Sequence, residues 1–183
     1  ETCRCLPEAI LSYELTVYPT EPGCRLGWHD EFVSSPRLDN LTSVLASLSA
    51  LVNAADADGL NIVALFDNEE VGSHTKQGAD SVILSRILSR IYHAFALTDD
   101  DLSADLSKGF MLSVDVAHAI QPNVPEKCDI TNQPQMGRGV ALKIAASQSY
   151  AGDAEAVAVL KGLCRRADIP YQIFMNRSDL PGG

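Results

Sequence analysis

Asp39, the adjacent pair Glu69 and Glu70, and Asp115 are the residues of this chain whose types and places could do chemistry. Asp39 stands in "SPRLDN" at the start of a long apolar-periodic stretch. Glu69 and Glu70 close the apolar run of "NIVALFDNEEVGS", and Asp115 lies near the end of "FMLSVDV". In α/β proteins ligands gather at the carboxyl ends of strands and at nearby helix starts, which is where all four fall. Singly, each has a plain explanation: Asp39 suits a helix N-terminus, the glutamates could be exposed, and Asp115 could make a structural hydrogen bond. Together they would bring like charges into one region, which is costly unless cations compensate. Two divalent metals about 3.5–4 Å apart would do so, using a bridging carboxylate, terminal carboxylates or imidazoles, and open positions for water and substrate. A neighbouring carboxylate left free of metal can then take the proton of the bridging water. Two adjacent glutamates on a tight loop suit that division of labour, since they point in different directions.

The elements that must position these residues follow from periodicity. Residues 10–18, "ILSYELTVY", read as a strand, and the turn-rich "PTEPGCRLGWHD" follows. A helix is predicted through "SPRLDNLTSVLASLSALVNAAD", with Leu41, Val44, Leu45, Leu48, Leu51 and Val52 on one buried face. A strand over 61–66 ends in the acidic cluster. A helix from about Gly78 to Phe95 comes next, with Val82, Ile83, Ile87, Leu88 and Ile91 inward. "TDDDLSADLSKG" reads as a solvated acidic loop, "FMLSVDVAHAI" as a strand, and "NVPEKCDITNQPQMGRG" as a loop broken by Pro, Asn and Gly. "VALKIAA" is a short strand, "GDAEAVAVLKGLCRRADI" a helix, and "YQIFMN" a last strand. Strands alternating with helices predict an α/β layered domain.

The composition bounds the function. With 183 residues, 46% hydrophobic and 21% charged, the chain can build one domain with a core. A formal net charge of -10 argues against nucleic acid and anionic membranes as partners, and leaves peptides, small molecules, metal cations and proteins. Five cysteines, an odd number without a regular framework, predict reduced thiols and a cytoplasmic setting. Cys3 and Cys5 form a lone C-x-C that no second pair completes as a zinc site. No apolar run reaches the roughly 18 residues of a membrane span, and no signal peptide is visible.

Five ordered blocks, "SPRLDNL", "DNEEVGS", "SVDVAHAIQPN", "LKIAASQSYA" and "NRSDLPGG", closely resemble the aspartyl aminopeptidase family of dinuclear metallopeptidases, from about Ser34 to Gly183. The resemblance implies a three-layer α/β/α catalytic domain with a mixed sheet, and two zinc ions, with manganese or cobalt as other occupants of such sites. It implies Asp39 as bridging ligand, Glu69 as general base, Glu70 as terminal ligand, and Asp115 as ligand of the other metal. It further implies that His118, Lys143 and Tyr150 lie by the substrate. A lysine ammonium there has a direct electrostatic reason to favour Asp or Glu at the substrate N-terminus. Asp179 is expected near the site without an assigned role. His29, His74 and His93 match none of the ligand motifs and are expected to be surface or hydrogen-bonded imidazoles. Homo-oligomers, dodecamers for complete members, are part of what the resemblance implies.

The sequence departs from the family in two places. Neither the "HTD"-like nor the "MHS"-like motif that supplies the metal-ligand histidines occurs in residues 1–183, and the inserted dimerisation domain is not seen. The chain is therefore expected to be the central part of a catalytic domain, weak in metal binding, with little activity alone and with apolar faces exposed. Two other readings stay open: an aminopeptidase of broad neutral or hydrophobic preference, and a non-catalytic binding or assembly module on the same fold.

Overall fold

The computed structural model describes residues 5–55, 58–145, 150, 152–177 and 179. Cys3, the end of the predicted strand at 146 and most of the terminal "SDLPGG" lie outside the described residues. The fold is α/β. Its elements, in chain order, are strands β1 (Cys24–Leu26) and β2 (Phe32–Ser34), helices α1 (Leu38–Asn53), α2 (Ile83–Ala94) and α3 (Asp99–Lys108), strand β3 (Val140–Ile144), helix α4 (Ala154–Arg166) and strand β4 (Tyr171–Met175).

Strands β3 and β4 pair in parallel, Lys143 opposite Phe174, and α4 is the crossover between them. Parallel neighbours cannot be joined by a hairpin, so a βαβ unit is the smallest arrangement that satisfies both backbones. The sequence sets up that crossover locally. Asp153 caps α4 by accepting a hydrogen bond from the Ala156 N–H at 2.8 Å, and Arg165 and Arg166 lie in the last turn against the negative helix end. At the other end Gly139, at φ +91°, brings β3 so close to Pro170 that a Cβ would overlap the Pro170 carbonyl oxygen. The Val140 N–H donates to that same carbonyl at 3.1 Å. The buried residues cluster on this unit: Leu142, Phe174 and Cys164, with Cys128 from the preceding loop.

The loop before β3 is strapped to the outer side of β4. The Gln172 side chain accepts from the Gln135 N–H at 2.9 Å and donates to the Gln135 carbonyl at 3.0 Å. The Met175 N–H donates to the Asn132 side chain at 2.9 Å. The Met175 bond satisfies a backbone group that an edge strand would otherwise leave open, and the Gln172 bonds satisfy both backbone groups of Gln135. The Ile120 N–H donates to the Pro134 carbonyl at 2.8 Å, which ties the 115–120 segment to the same loop.

Several predicted elements are corrected. Residues 10–18, 61–66 and 110–120 form no strand ladder among the described residues. Their alternation is real, but a strand needs a partner for its N–H and C=O groups, and none is placed beside them. Within the turn-rich stretch read as loop, β1 and β2 form an antiparallel hairpin, Cys24 opposite Ser34, with Gly27 at φ +104° in the turn. The acidic run read as loop is helix α3. Thr98 caps it in a reciprocal box with Asp101, and Asp99, Asp100 and Asp101 fill the first turn, where the helix dipole favours negative charge. The helix predicted from Gly78 starts at Ile83, because residues 73–81 are held in turns by Asp80 N–H to Ser73 and Ser81 N–H to Gly78 bonds.

The apolar stripe of α1 is the largest departure. It was expected to be buried, yet Leu45 is 68% exposed, Leu41 and Leu48 are also exposed, and Ser43 is the buried residue of that helix. The chain exposes 15333 Å². A compact monomer of 19.7 kDa exposes about 8,600 Å². The amphipathic pattern is present in full, but the surface it would pack on is not among the described residues. The exposed apolar faces expected from the sequence are thus found.

Candidate metal and catalytic centre

Local backbone geometry brings the carboxylates together. Arg37 precedes α1 in the left-handed region at φ 64°, and Asp39 and Asn40 depart from helical angles, so the regular helix begins only after them. Asp39 therefore sits on a bent entry to the helix. Glu69 and Glu70 lead a single 3-10 turn, Glu69–Val71, between two residues of positive φ, Asn68 at 64° and Gly72 at 92°. The Gly72 N–H donates to the Glu69 carbonyl at 2.8 Å and the Ser73 N–H to the Asn68 carbonyl at 3.1 Å, closing the turn from both sides. Asn and Gly are the residues that accept this conformation with least strain, and both were visible in "DNEEVGS" as turn signals. Their part in aiming the two glutamates is legible only in the structure.

Asp39 lies close enough to Asp115 for the two carboxyl groups to act on one another. Its carboxyl is pushed above the ordinary range, first by partial loss of hydration, then by the charges of Asp115 and Glu70. Glu69 is pushed up in the same way, by loss of hydration and then by the charges of Asp115, Glu70 and Asp39. In both cases Lys143 opposes the rise. Lys143, on β3, places its Nζ 3.4 Å from Asp115 Oδ2 and 5.6 Å from the centroid of the Tyr150 ring. Asp39, Glu69, Glu70, Asp115, Lys143 and Tyr150, far apart in sequence, thus form one connected group.

His118 is placed differently. Its ring meets Phe174 edge-on, centroids 5.0 Å apart, and among the described residues it shares no hydrogen bond or ion pair with the carboxylates. Phe174 is 2% exposed, so it is a fixed support for that ring. Asp179 is occupied by Arg177, whose Nε and Nη2 reach its two oxygens at 2.9 and 2.5 Å while Nη1 donates to the Glu126 carbonyl at 2.7 Å. Of the other histidines, His74 pairs with Asp80 at 2.6 Å and His93 lies 3.3 Å from Asp99. His74 is a hydrogen-bonded surface imidazole and His93 an exposed one beside a carboxylate, as the sequence led one to expect. The described cysteines, Cys5, Cys24, Cys128 and Cys164, are free thiols.

The donor chemistry fits a divalent cation: hard carboxylate oxygens whose mutual repulsion a positive ion would relieve. The donor number is short. Among the described residues no three His, Cys, Asp or Glu side chains stand close enough to hold an ion. Carboxylates this close, with a lysine 3.4 Å from one of them, are an arrangement in which an ammonium does part of the compensating.

The sequence model of the peptidase family M18, aminopeptidase I zinc metalloprotease, matches residues 1–183. The chain belongs to the M18 family. It is 48% identical over 174 residues to "Probable M18 family aminopeptidase 2" of Clostridium novyi, covering 95% of this chain and 40% of that protein. It is 36% identical over 192 residues to the aspartyl aminopeptidase of Aspergillus oryzae, covering 94% of this chain and 39% of that protein. The solved M18 aminopeptidase of Thermotoga maritima matches with a TM-score of 0.74 at 25% identity, over 88% of this chain and 37% of that one. The mApe1 dodecamer of S. cerevisiae matches with a TM-score of 0.65 at 26% identity, over 85% and 37%. These likenesses support the α/β fold. The M18 chain spans about 40% of the length of the curated relatives it matches. Among the described residues no helix is long and apolar enough to cross a membrane.

Proposed function

We propose that this M18 chain carries the carboxylate half of a zinc aminopeptidase site, in a protein that removes N-terminal residues, Asp and Glu by preference, from peptides. The observation that carries the proposal is the nearness of the four carboxylates, the charges of Asp115 and Glu70 raising both Asp39 and Glu69, with Lys143 Nζ 3.4 Å from Asp115. Asp39, Glu70 and Asp115 would hold two zinc ions, with further ligands from outside these 183 residues. When bound, the metal supplies Lewis acidity, polarising the scissile carbonyl and acidifying a water.

Glu69 is the general base. A carboxylate left free of metal beside a ligand can take the proton of a neighbouring water. It accepts the proton of the attacking water and returns it to the leaving amine. Lys143 pairs with the acidic side chain of the substrate, and the Tyr150 ring holds its ammonium near that position. His118, steadied by Phe174, lines the same pocket. The domain is the central part of a catalytic domain in a cytoplasmic homo-oligomer, for which the S. cerevisiae mApe1 dodecamer is the structural parallel.

The test is hydrolysis of Asp-, Glu- and Leu-based chromogenic amides by the intact protein supplied with zinc or manganese, beside Glu69→Gln. The proposal expects turnover of Asp and Glu amides, and loss of turnover with metal retained in Glu69→Gln. Wild-type rates in that variant would remove Glu69 from the mechanism. Equal rates on the Leu amide would replace acidic preference with broad specificity. No turnover of any substrate by the metal-loaded protein would leave a binding module.

A further inference from the structure

The turn that carries Glu69 and Glu70 runs straight into a closed loop, and Ser73 belongs to both. Its N–H donates to the Asn68 carbonyl at 3.1 Å and ends the turn, while its carbonyl accepts from the Asp80 N–H at 3.3 Å and opens the loop. Both backbone groups of Ser73 are thus engaged while its φ is 62°, a left-handed conformation that a residue with a Cβ keeps only when its surroundings over-determine it. The loop is drawn tight against that residue. Gly78 is buried so near the Ser73 carbonyl that a Cβ would overlap the oxygen. Across the mouth of the loop, His74 Nδ1 lies 2.6 Å from Asp80 Oδ2, and an ionised carboxylate only accepts, so Nδ1 is the donor. A further tie runs back to the start of the turn: with its amide oxygen toward Thr75, Asn68 accepts from the Thr75 hydroxyl at 3.1 Å. The His74 and Asp80 side chains are 79% and 66% exposed, so their pairing adds little to overall stability. Its place is what matters, because Asp80 holds Ser73 by its backbone and His74 by its side chain.

We infer that His74 and Asp80 are a positioning pair for the Glu69–Val71 turn: their bond closes the 73–81 loop, the closed loop holds Ser73 left-handed, and Ser73 fixes the direction in which Glu69 is offered to the attacking water. This rests on the proposed reading of Glu69 as general base. The pair acts through Ser73 and not on the substrate. Its loss therefore blunts proton transfer while leaving substrate binding as it was, which separates kcat from KM. A general base works only from within hydrogen-bond reach of the proton it takes, so a turn free to rock spends less time in the productive geometry.

The experiment is steady-state hydrolysis of an Asp-based chromogenic amide by the intact, zinc-supplied protein, with amide hydrogen exchange at Ser73 measured on the same samples. His74→Ala removes the bond, and His74→Asn returns an amide N–H close to where Nδ1 stood. Asp80→Ala breaks the bond from the other side and replaces His74→Ala if circular dichroism shows that variant unfolded. His74→Ala is expected to lower kcat about three- to tenfold with KM within about twofold, a smaller loss than full misplacement of a catalytic group brings. His74→Asn should recover most of the rate. His74→Ala and Asp80→Ala together should lose no more than either alone, since both remove one interaction. Exchange at Ser73 should quicken in His74→Ala and slow again in His74→Asn. Wild-type kcat in His74→Ala overturns the inference alone, as does a loss that leaves Ser73 exchange unchanged or that His74→Asn does not restore. Absence of turnover by wild type, or wild-type rates in Glu69→Gln, overturns the reading of Glu69 itself, and the inference with it.

Discussion

Gln172 holds Gln135 by both of its backbone groups, accepting at 2.9 Å and donating at 3.0 Å, so that one side chain on β4 does the work of a neighbouring strand. The loop it holds also receives the Ile120 N–H at Pro134, and residues 115–120 carry both Asp115 and His118. A side chain on the outer edge of the sheet is therefore connected, through three hydrogen bonds, to the segment that supplies a carboxylate of the site.

Gln172→Leu should lower stability by about 0.5–1.5 kcal/mol, the net worth of hydrogen bonds whose backbone groups water can take over. Urea unfolding measures the loss. The same variant should weaken zinc binding, because the 115–120 segment loses its anchor. Zinc affinity unchanged at reduced stability would separate the strap from the site.

Helix α3 should depend on its capping box. Thr98→Ala removes the side chain that accepts from the Asp101 N–H and should destabilise by about 1 kcal/mol. The Asp101 carboxylate is held below its ordinary range by hydrogen bonds from the Thr98 hydroxyl and then the Thr98 N–H. A lowered carboxyl binds fewer protons folded than unfolded. Its contribution is therefore present above the unfolded value and is lost as pH falls through the lower folded one. NMR titration of the Asp101 side chain should show a midpoint below 3.8 in wild type, moving up toward it in Thr98→Ala.

Arg177 ties Asp179 to the turn at Pro125–Lys127 through the Glu126 carbonyl. Arg177→Lys keeps the charge but cannot reproduce the planar fork. It should raise backbone exchange at 125–128 in amide hydrogen-exchange measurements, with α2 and α3 unchanged. Uniform protection at 125–128 in the variant would count against the tie.

The apolar stripe of α1 should make the isolated chain associate. Leu41, Leu45 and Leu48 face water, as do Phe110, Met111 and Leu112 elsewhere in the chain, and exposed apolar residues in such number favour association. Light scattering of the 183-residue chain should give a mass above 19.7 kDa. Leu45→Glu should lower that mass. A monomer in dilute buffer would mean these faces find cover within the chain.

How much was legible in the sequence can be judged from particular residues. The βαβ unit was readable because Leu142, Cys164 and Phe174 pack within one continuous stretch, so local pattern and tertiary contact agree. The strands at 61–66 and 110–120 were not, because an apolar run records what would be buried and not whether a partner strand is present. Leu45 fails for the same reason. Helix α3 was missed because three aspartates look like a solvated run, although "TDDD" holds a Thr and an Asp at capping-box spacing. Asp39, Glu69, Glu70 and Asp115 were singled out by their places at element ends; in the structure the charges of Asp115 and Glu70 act on Asp39 and Glu69, and Lys143 lies 3.4 Å from Asp115. The seating of His118 against Phe174, and the capture of Asp179 by Arg177, depend on side-chain directions that no linear pattern carries.

Gly139 has no side chain, yet the direction of the lysine depends on it. Its missing Cβ lets β3 enter against the Pro170 carbonyl with Val140 facing Tyr171. Any larger residue would have to slide or lift the strand, and a slide of one position turns every side chain of β3 to the opposite face. Lys143 lies four residues along that strand. A mutational screen scored on activity should therefore find Gly139 as intolerant as the charged residues, for a reason of gearing: one blank tooth at the strand entrance sets the phase in which the positive charge arrives at Asp115.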